Sequence, residues 1–341
     1  MNTPELSDSG PCGRSEVPLP KAGAAESDGA TEMAQRLRDA GDKAKILAEA
    51  LPYIREFSGR RVVIKYGGHA MEKPELADLF ATDVVLMRLV GMNPIVVHGG
   101  GPQITALMRK LGKEPEFVDG RRVTDTETID IVRMALVGKV NREIVASVNR
   151  HGPYSVGLSG EDAGLIRVDQ RDPKLGFVGD VRAIDPTIVL RLVREELIPV
   201  IATVGVDDTG QAYNVNADTV AGAIAEAVDA EKLVYLTDVA GVYADWPDAT
   251  SLISRIDVDG LEQLLADGKV SEGMIPKLES CVAALRYGVR RAHILDGRLP
   301  HALLLEFFTR EGVGTMVQPP GADRMPGETG DSPSPLEGRR S

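Results

Sequence analysis

The sequence predicts an α/β protein, arranged as a three-layer αβα sandwich with a central, mostly parallel β-sheet. Short β-branched runs alternate with longer helical patterns between residues 61 and 295, and such alternation is typical of parallel strands joined by helices. Glycine-rich and polar segments directly follow several of the strand patterns. Because parallel sheets bind ligands at the carboxyl ends of their strands, these segments are the candidate functional loops.

The composition limits the class of protein. The chain has 341 residues, 43% of them hydrophobic and 26% charged, as expected for a soluble globular protein of one large domain or two lobes. The formal net charge of -12 argues against a nucleic-acid or anionic-membrane partner. No run approaches the roughly 18 apolar residues of a spanning helix. The two cysteines, Cys12 and Cys281, do not favour a disulfide, so we expect a cytoplasmic protein.

The two ends differ from the middle of the chain. Residues 1–31 and 318–341 are rich in Ser, Gly, Pro and charge, which predicts disordered tails. Residues 32–58 show helical spacing ahead of the first strand, interrupted by Gly41 and Pro52. Such a helix packs either on its own chain, which is the default expectation, or on another chain. Its apolar positions are Met33, Leu37, Ala44, Leu47, Leu51 and Ile54.

Strand and helix patterns follow one another from residue 61 onward. Strands are predicted at 61–66, 93–98, 155–158, 166–169, 177–183, 198–203, 232–237 and 291–295. Helices are predicted at 74–90, 102–111, 126–137, 141–149, 216–228, 261–266 and 275–287. The charged, glycine-containing segment 114–123 predicts a hairpin.

Two glycine loops follow the first two strands. Lys65 lies at the end of the first strand, before Gly67 and Gly68, and His98 ends the second, before Gly99–Gly101. Glycines let backbone N–H groups approach a phosphate closely, and the second loop opens a helix whose N-terminus favours anions. The first loop alone is equally consistent with a tight turn and the second with a flexible turn, but two such loops on neighbouring strands favour an anion site. Neither loop matches the P-loop or the dinucleotide-binding glycine pattern.

Charged side chains at other turns extend the candidate site. One arginine of the Arg121–Arg122 pair offers a planar fork for a carboxylate, although a solvated surface arginine is the commoner case. In the segment VNAD, Asn216 suits a helix N-cap, and Asp218 is placed to orient lysine ammonium groups. A glycine turn presents Lys277 at the start of another helix. The turn in LTDVAGVY, residues 236–243, is suited to frame an adenine and its ribose.

Taken in order, these motifs resemble the amino acid kinase family, and most closely its members that act on N-acetyl-L-glutamate. The motifs are VVIKYGGHAM, VVHGGGPQI, GRRVTD, VNADTVAGAIA, LTDVAGVY and EGMIPKL. The resemblance extends over about residues 45–317 and implies the amino acid kinase fold, with two lobes and an extra N-terminal helix. It assigns residues 32–58 to oligomerisation, 59–212 to substrate binding and dimerisation, and 213–317 to ATP binding.

The resemblance also implies roles for individual residues. Lys65 and Lys277 are implied to contact the transferring phosphoryl group, and Asp218 to hold both lysines in place. The implied substrate-binding residues are Gly67, Gly68, Gly100, Gly101, Arg122 and Asn214. The implied nucleotide-binding residues are Thr237, Asp238, Gly241, Val242, Tyr243, Gly273 and Met274.

The implied reaction is the ATP-dependent phosphorylation of the γ-carboxylate of N-acetyl-L-glutamate, in arginine biosynthesis. Mg²⁺ is expected to arrive with ATP and not in a dedicated protein site. Resemblance to arginine-inhibited members implies a hexamer of three dimers and an arginine site at His301, Glu311, Gly312 and Gly314. Two alternatives stay open: a sister kinase acting on another acid, such as glutamate or an aminoadipate derivative, and an arginine sensor without turnover.

Overall fold

Strands and helices alternate along the chain as predicted. The computed structural model describes residues 24–71, 73–246, 248–271, 273–309 and 312–321. The strands are β1 Arg61–Tyr66, β2 Asn93–His98, β3 Phe117–Val118, β4 Arg121–Arg122, β5 Ser155–Ser159, β6 Ile166–Gln170, β7 Val178–Ile184, β8 Ile198–Ala202, β9 Val204–Val206, β10 Ala212–Val215, β11 Lys232–Thr237, β12 Val242–Tyr243, β13 Leu252–Ile253, β14 Arg255–Asp257, β15 Arg291–Asp296 and β16 Thr315–Gln318. The helices are α1 Ala24–Phe57, α2 Pro74–Leu89, α3 Gly101–Lys110, α4 Thr126–Arg133, α5 Asn141–Asn149, α6 Thr187–Arg194, α7 Ala217–Ala227, α8 Val258–Ala266, α9 Ile275–Arg286 and α10 Ala302–Phe308, with a π-helix at Met134–Val140.

The central sheet of the described residues has eight strands in the order β14-β16-β15-β11-β1-β2-β8-β5. Strand β1 lies in its interior and pairs in parallel with β11 on one side and with β2 on the other. Within this sheet, β15 and β16 form the one antiparallel pair of the described strands. The predicted α/β class with a mostly parallel sheet is confirmed.

Apolar clusters cover both faces of this sheet, as β1 illustrates. Val63 packs in one cluster with residues of α7 and α9, whereas Val62 and Ile64 pack in a second with residues of α2 and α5. Because successive side chains of a strand point to opposite faces, helices lie on both sides of the sheet. The three-layer arrangement is therefore confirmed. Burial on both faces explains why β1 is a continuous apolar run and not an alternating one.

Four other strands, β10, β7, β6 and β9, form a small closed barrel. The sequence predicts strands at 166–169 and 177–183 but not that they pair outside the main sheet. Strand β10 ends at Val215 and α7 begins at Ala217, so the barrel leads the chain directly into α7. The predicted hairpin at 114–123 is confirmed by the antiparallel pair of β3 and β4.

The helical stretch from residue 126 to residue 149 is continuous. Two helices with a gap after residue 137 were expected, but α4, the π-helix and α5 follow one another without a break. Arg133 and Asn141, which flank the π-helix, both keep right-handed helical dihedral angles. The predicted gap is therefore wrong, and a wider helical turn takes its place.

The N-terminal helix is longer than expected. Helix α1 covers the predicted range but begins at Ala24, so placing residues 24–31 in a disordered tail is wrong. The alanines and glutamate of its first turn favour a helix. The remaining parts of the predicted tails, residues 1–23 and 322–341, lie outside the described residues.

The apolar positions of α1 differ in burial. Phe57 is buried in the core, whereas Met33, Leu37 and Leu47 are 58%, 66% and 72% exposed. Whether α1 packs on its own chain or on another chain stays a prediction. Within the described part of the chain, no helix is both long and apolar enough to cross a membrane. The division into lobes at residue 212 stays a prediction.

Helix α10 buries the aromatic side chain of Phe307 together with Ala302 and Leu303, and this packing yields a stability test. Phe307 is fully buried, and its ring meets the Phe57 ring edge-on at 5.6 Å between centroids. We expect Phe307→Ala to lower the free energy of unfolding by about 3–5 kcal/mol, because it leaves a cavity. Leu111→Ala, at an exposed position, is the control and should change it by less than about 0.5 kcal/mol. Equal losses in urea titrations of the two variants would contradict this packing.

Candidate active site

Three charged side chains meet at one point of the structure. Lys65 lies near the carboxyl end of β1, Asp218 in the first turn of α7 and Lys277 in the first turn of α9. The Lys65 Nζ is 3.1 Å from Asp218 Oδ1, and the Lys277 Nζ is 3.2 Å from Asp218 Oδ2. Asp218 and Lys65 are only 6% and 8% exposed. One buried carboxylate therefore bridges two ammonium groups.

The start of α7 places the Asp218 side chain. The Asn216 side-chain oxygen accepts hydrogen bonds from the backbone N–H groups of Asp218 at 2.8 Å and Thr219 at 3.1 Å. This is an N-cap of the kind expected from the sequence. It fixes the first helical residues and so directs Asp218 toward the strand ends.

The charges in this cluster do not cancel. Burial by itself would raise the pKa of the Asp218 carboxyl, but the ammonium groups of Lys65 and Lys277 outweigh it and hold that pKa below its usual value. Asp218 is therefore ionised at neutral pH, and one positive charge remains in excess. Such a site is suited to bind an anion.

A hydrogen-bonded network behind Asp218 joins α7 to α9. The Ser280 hydroxyl donates to the Asp218 carbonyl at 2.8 Å and lies 2.7 Å from the Tyr235 hydroxyl. Burial raises the pKa of Tyr235 well above its usual value, so the phenol stays protonated. A Cβ at Gly222 would lie 2.8 Å from the Ser280 Oγ, so this close approach needs glycine. Sequence reasoning missed Tyr235 and Ser280, because nothing local marks them.

The first glycine loop leaves room for the Lys65 ammonium. A Cβ at Gly67 would lie 3.0 Å from the Lys65 Nζ. Gly68 has a φ of 66°, in the left-handed region that favours glycine. Both glycines therefore have a structural reason to be where the sequence analysis placed a phosphate-binding loop.

The second glycine loop lies beside the first, because β1 and β2 pair in parallel. The Gly99 N–H donates to the Tyr66 carbonyl at 3.4 Å. A Cβ at Gly100 would lie 2.6 Å from Leu136 Cδ2, so the loop packs directly on the π-helix. Gly101 begins α3.

Arg122 is the buried member of the arginine pair, whereas Arg121 is exposed. Its guanidinium donates to the Gly101 carbonyl at 3.1 Å and to Thr105 Oγ1 at 2.9 Å, and it lies 4.7 Å from the centre of the Phe117 ring. Burial lowers the pKa of Arg122. No carboxylate of the described residues pairs with it. A buried guanidinium with neutral partners only is suited to receive a carboxylate from a ligand.

Asn214 is linked to this arginine through Thr124. The Asn214 Nδ2 donates to Thr124 Oγ1 at 3.4 Å, and that hydroxyl donates to the Arg122 carbonyl at 2.8 Å. The structure therefore brings Asn214, Arg122 and the second glycine loop into one region.

Most of the candidate nucleotide residues surround an apolar pocket. Gly241, Val242, Tyr243 and Met274 line it. The Thr237 hydroxyl instead donates within its own turn, to the Val239 carbonyl at 2.8 Å. Asp238 and Gly273 lie in the turns that lead into this region. Further lining residues that sequence reasoning missed are Val239, Trp246, Lys269, Val270, Ser271 and Leu278.

The four residues expected to bind arginine have different surroundings. His301 Nδ1 is 2.6 Å from Asp83 Oδ1, and burial raises the pKa of Asp83 to about 6. A Cβ at Gly312 would lie 3.2 Å from Glu306 Oε2. Gly314 lies against the backbone of β15. Glu311 lies outside the described residues.

Sequence reasoning also missed a second charged cluster. His293 Nδ1 lies 2.6 Å from Glu306 Oε1, and the Val313 N–H donates to Glu306 Oε2 at 2.9 Å. The Lys232 Nζ lies 4.3 Å from the centre of the Phe57 ring. Burial lowers the pKa of Lys232 to about 8. No local motif marks these residues, which come from β11, β15 and α10.

Comparison with known proteins decides the family. Residues 60–296, more than half of the chain, match the model of the amino acid kinase family. The chain belongs to the amino acid kinase family. The matched range contains both glycine loops, Asp218 and Lys277, but not the segment from His301 to Gly314.

The matches to two relatives extend over nearly the whole length of those relatives. An acetylglutamate kinase of Saccharopolyspora erythraea is 54% identical over 296 residues, covering 85% of this chain and 97% of that protein. Another, from Symbiobacterium thermophilum, is 56% identical over 285 residues, covering 81% and 97%. The solved N-acetylglutamate synthase from Neisseria gonorrhoeae, complexed with coenzyme A and N-acetyl-glutamate, has a TM-score of 0.71 at 26% identity. That match covers 81% of this chain but 63% of the synthase.

Among the described residues, no three His, Cys, Asp or Glu side chains converge as a metal site. The Asp218 carboxylate uses both of its oxygens for the two lysines.

The buried charge cluster yields a pH-dependent prediction. Asp218→Asn leaves two lysines without their counter-ion, so we expect a loss of about 3–5 kcal/mol in the free energy of unfolding at pH 7. The pKa of Asp218 is lowered on folding, so its stabilisation is complete above the usual pKa of 3.8 and is lost as pH falls below that value. The difference between the two proteins should therefore shrink in urea titrations from pH 6 to pH 3. A difference that does not change with pH would contradict this assignment.

Proposed function

We propose that this chain catalyses the ATP-dependent phosphorylation of the γ-carboxylate of N-acetyl-L-glutamate, giving N-acetyl-L-glutamyl 5-phosphate and ADP in arginine biosynthesis. The observation that carries the proposal is the buried Asp218 carboxylate between Lys65 and Lys277, at strand ends that also carry two glycine loops. The identity of 54% and 56% to two acetylglutamate kinases, each covered over 97% of its length, supports the choice of substrate.

The reaction needs charge stabilisation and positioning more than proton transfer. An oxygen of the γ-carboxylate attacks the γ-phosphorus of ATP, and the bond from that phosphorus to ADP breaks. The acceptor is already ionised at neutral pH, so no general base is required. Lys65 and Lys277 stabilise the negative charge on the transferring group, and Asp218 keeps both ammonium groups in position. Backbone N–H groups of Gly67, Gly68, Gly100 and Gly101 bind phosphoryl and substrate oxygens.

Recognition of the acid rests on Arg122 and Asn214. The Arg122 guanidinium lacks a carboxylate partner among the described residues and is held by neutral acceptors. It can therefore form two parallel hydrogen bonds with the α-carboxylate of the substrate. Asn214, which reaches Thr124, binds the neighbouring polar part of the ligand.

The nucleotide occupies the pocket lined by Gly241, Val242, Tyr243 and Met274. Apolar walls there suit the adenine, and Thr237, Asp238 and Gly273 lie at the turns that face its ribose and phosphates. Mg²⁺, carried by the nucleotide, would neutralise part of the phosphate charge when bound. The charge cluster fits this assignment, because the Asp218 oxygens are already engaged by lysines and the lysines complement the remaining phosphate charge.

We also propose that arginine inhibits the enzyme and that the chain assembles into dimers and a hexamer in the cytoplasm. The exposed apolar side chains of α1, among them Leu37 and Leu47, support a role of this helix in assembly. The related synthase was solved as a complex with L-arginine. The proximity of Gly312 to the buried Glu306 carboxylate supports a guanidinium site in that segment.

Two alternatives remain testable. A sister kinase acting on glutamate or an aminoadipate derivative would use the same lysines and the same Arg122. A non-catalytic arginine sensor would not need the Lys65–Asp218–Lys277 cluster, whose retention disfavours it. The acid that is turned over distinguishes these readings.

The function is tested by ADP release from the purified chain with Mg-ATP. We expect turnover with N-acetyl-L-glutamate that arginine suppresses, and little with glutamate, aspartate or N-acetyl-aspartate. Lys277→Ala should lower kcat by about 10²–10³, because a stabilising cation is lost. Arg286→Ala, an exposed change on the same helix, is the matched control. Turnover of a different acid would show that N-acetyl-L-glutamate is not the substrate. An unchanged kcat in Lys277→Ala would refute the role of Lys277 in stabilising the transferring phosphoryl group.

The role of Arg122 is tested against its exposed neighbour. We expect Arg122→Ala to raise the KM for the acid about 10–150-fold, because charged hydrogen bonds of about 1.5–3 kcal/mol are lost. The KM for ATP should change little. Arg121→Ala, on the same strand but exposed, should leave both values within about twofold. A similar rise for the two variants in steady-state kinetics would show that neither arginine binds the acid directly.

A further inference from the structure

A fully buried histidine lies directly beneath the second glycine loop. His98 is 0% exposed at the end of β2. Its Nδ1 lies 2.9 Å from the Gly99 carbonyl, and the Asn141 Nδ2 lies 3.1 Å from its Nε2. His98 thus contacts the loop itself, and Asn141 contacts His98.

These contacts determine the protonation of the ring. Burial lowers the pKa of His98 to about 4, so the ring is neutral at pH 7 and has one donor and one acceptor nitrogen. A carbonyl oxygen only accepts, so Nδ1 must carry the hydrogen and donate to Gly99. Nε2 is then the acceptor of the Asn141 amide.

The orientation of Asn141 is fixed independently of the histidine. Its Nδ2 also donates to the Val200 carbonyl at 2.8 Å, and its Oδ1 accepts from the Arg142 guanidinium. The Val200 carbonyl needs a donor and the Arg142 guanidinium needs an acceptor. The amide nitrogen must therefore face Val200 and the amide oxygen must face Arg142. Asn141 therefore selects the Nδ1–H form of His98.

The hydrogen bond from His98 has a consequence for the next peptide N–H. In a trans peptide, the carbonyl and the following N–H point in opposite directions. Because the Gly99 carbonyl points to the buried ring, the Gly100 N–H points to the opposite side of the loop. Among the described residues, no acceptor of the Gly100 N–H is found. It is thus a free donor directed away from the histidine.

The opposite side of the loop approaches the phosphoryl site. A Cβ at Gly99 would lie 3.2 Å from the Ala217 Cβ, and Ala217 precedes Asp218 in the first turn of α7. A Cβ at Gly67 would lie 3.9 Å from the Gly99 nitrogen. The second loop therefore contacts His98 and also lies close to Gly67 and to the start of α7, which carries Asp218.

The π-helix Met134–Val140 supports this arrangement from below. A Cβ at Gly100 would lie 2.6 Å from Leu136 Cδ2 and 3.3 Å from Val140 Cγ2. Asn141 follows Val140 directly. The π-helix therefore packs against the loop and also places the Asn141 amide beside His98. Distortions of this kind often occur at functional sites.

We propose that His98 and Asn141 are positioning residues, which hold the Gly99–Gly100 peptide so that the Gly100 N–H points at the oxygens of the transferring phosphoryl group. This inference rests on the proposed function. Neither side chain touches the substrate. The two residues act through the Gly99–Gly100 peptide plane. Asn141 selects the Nδ1–H tautomer of His98, and the Nδ1–H group then fixes the Gly99 carbonyl by a hydrogen bond.

The test compares two substitutions of one residue. His98→Asn keeps an N–H donor close to the place of Nδ1, whereas His98→Leu fills the space without a donor. We expect His98→Leu to lower kcat at least about tenfold, but less than the 10²–10³ of a deleted donor, with both KM values within about threefold. His98→Asn should recover most of kcat. Asn141→Ala removes the group that selects the Nδ1–H tautomer of His98, so its kcat should lie between those of His98→Leu and His98→Asn.

Val96→Ala is the control for a general loss of stability. Val96 is fully buried on the same strand and packs in the apolar cluster with residues of α2 and α5, so kcat should stay within about twofold at temperatures where the variant is folded. Equal losses in His98→Leu and His98→Asn, or a kcat of His98→Leu within threefold of the unmodified chain, would overturn the positioning role.

A binding measurement covers the case in which His98→Leu does not fold. Asn141→Ala and His98→Asn are then compared with the unmodified chain for binding of ADP with aluminium fluoride and the acid, a mimic of the transferring group. Weaker binding in Asn141→Ala alone would support the role, and equal binding would overturn it.

All kinetic measurements use the acid that the unmodified chain phosphorylates. If that acid is not N-acetyl-L-glutamate, the assay acid changes, but the expected ratios of kcat between the variants and the unmodified chain stay the same. Absence of any turnover would overturn the proposed function and this role together.

Discussion

The contact on which the site depends is the buried Asp218 carboxylate between two ammonium groups. Each partner comes from a different segment, namely β1, α7 and α9. A buried carboxylate is costly unless its charge is compensated within hydrogen-bonding distance, so these three segments must meet with little tolerance. The Asn216 cap, the Ser280–Tyr235 network and the glycine at position 222 all restrict how α7 approaches its neighbours. The positions of the three charged groups are thus set by the same contacts that pack α7 against α9.

Features with a local cause were predictable from the sequence. Strand β1 was recognised because burial on both faces requires a continuous apolar run, and the glycine loops because they end such runs. The cap at Asn216 follows from the same kind of local rule. Asp218 and Lys277 were candidates from their own turns, and the resemblance to the family then assigned them to one site, which no local pattern could have done. The structure brings them within 3.2 Å of each other, although 59 residues separate them in the chain.

Features that depend on distant contacts were missed. The barrel strands have ordinary strand patterns, and only pairing partners decide that they leave the main sheet. The π-helix replaces a predicted gap, and its Leu136 and Val140 pack on Gly100, a contact that a local sequence pattern does not show. The pair of His98 and Asn141 spans 43 residues, and that of Ser280 and Asp218 spans 62. Buried polar networks of this kind carry no periodic signal.

The electrostatics of the site oppose those of the whole chain. The protein has a formal net charge of -12, which at long range repels anions such as ATP and an acidic amino acid. At the site, Lys65 and Lys277 both pair with the Asp218 carboxylate, and the Arg122 guanidinium has neutral partners. At ordinary ionic strength the long-range repulsion is screened beyond about 8–10 Å, whereas the buried groups act at hydrogen-bonding distance in a less polar medium. Capture of the anionic substrates must therefore come from short-range, geometrically defined contacts, which is why the orientation of a single backbone N–H can matter to the rate.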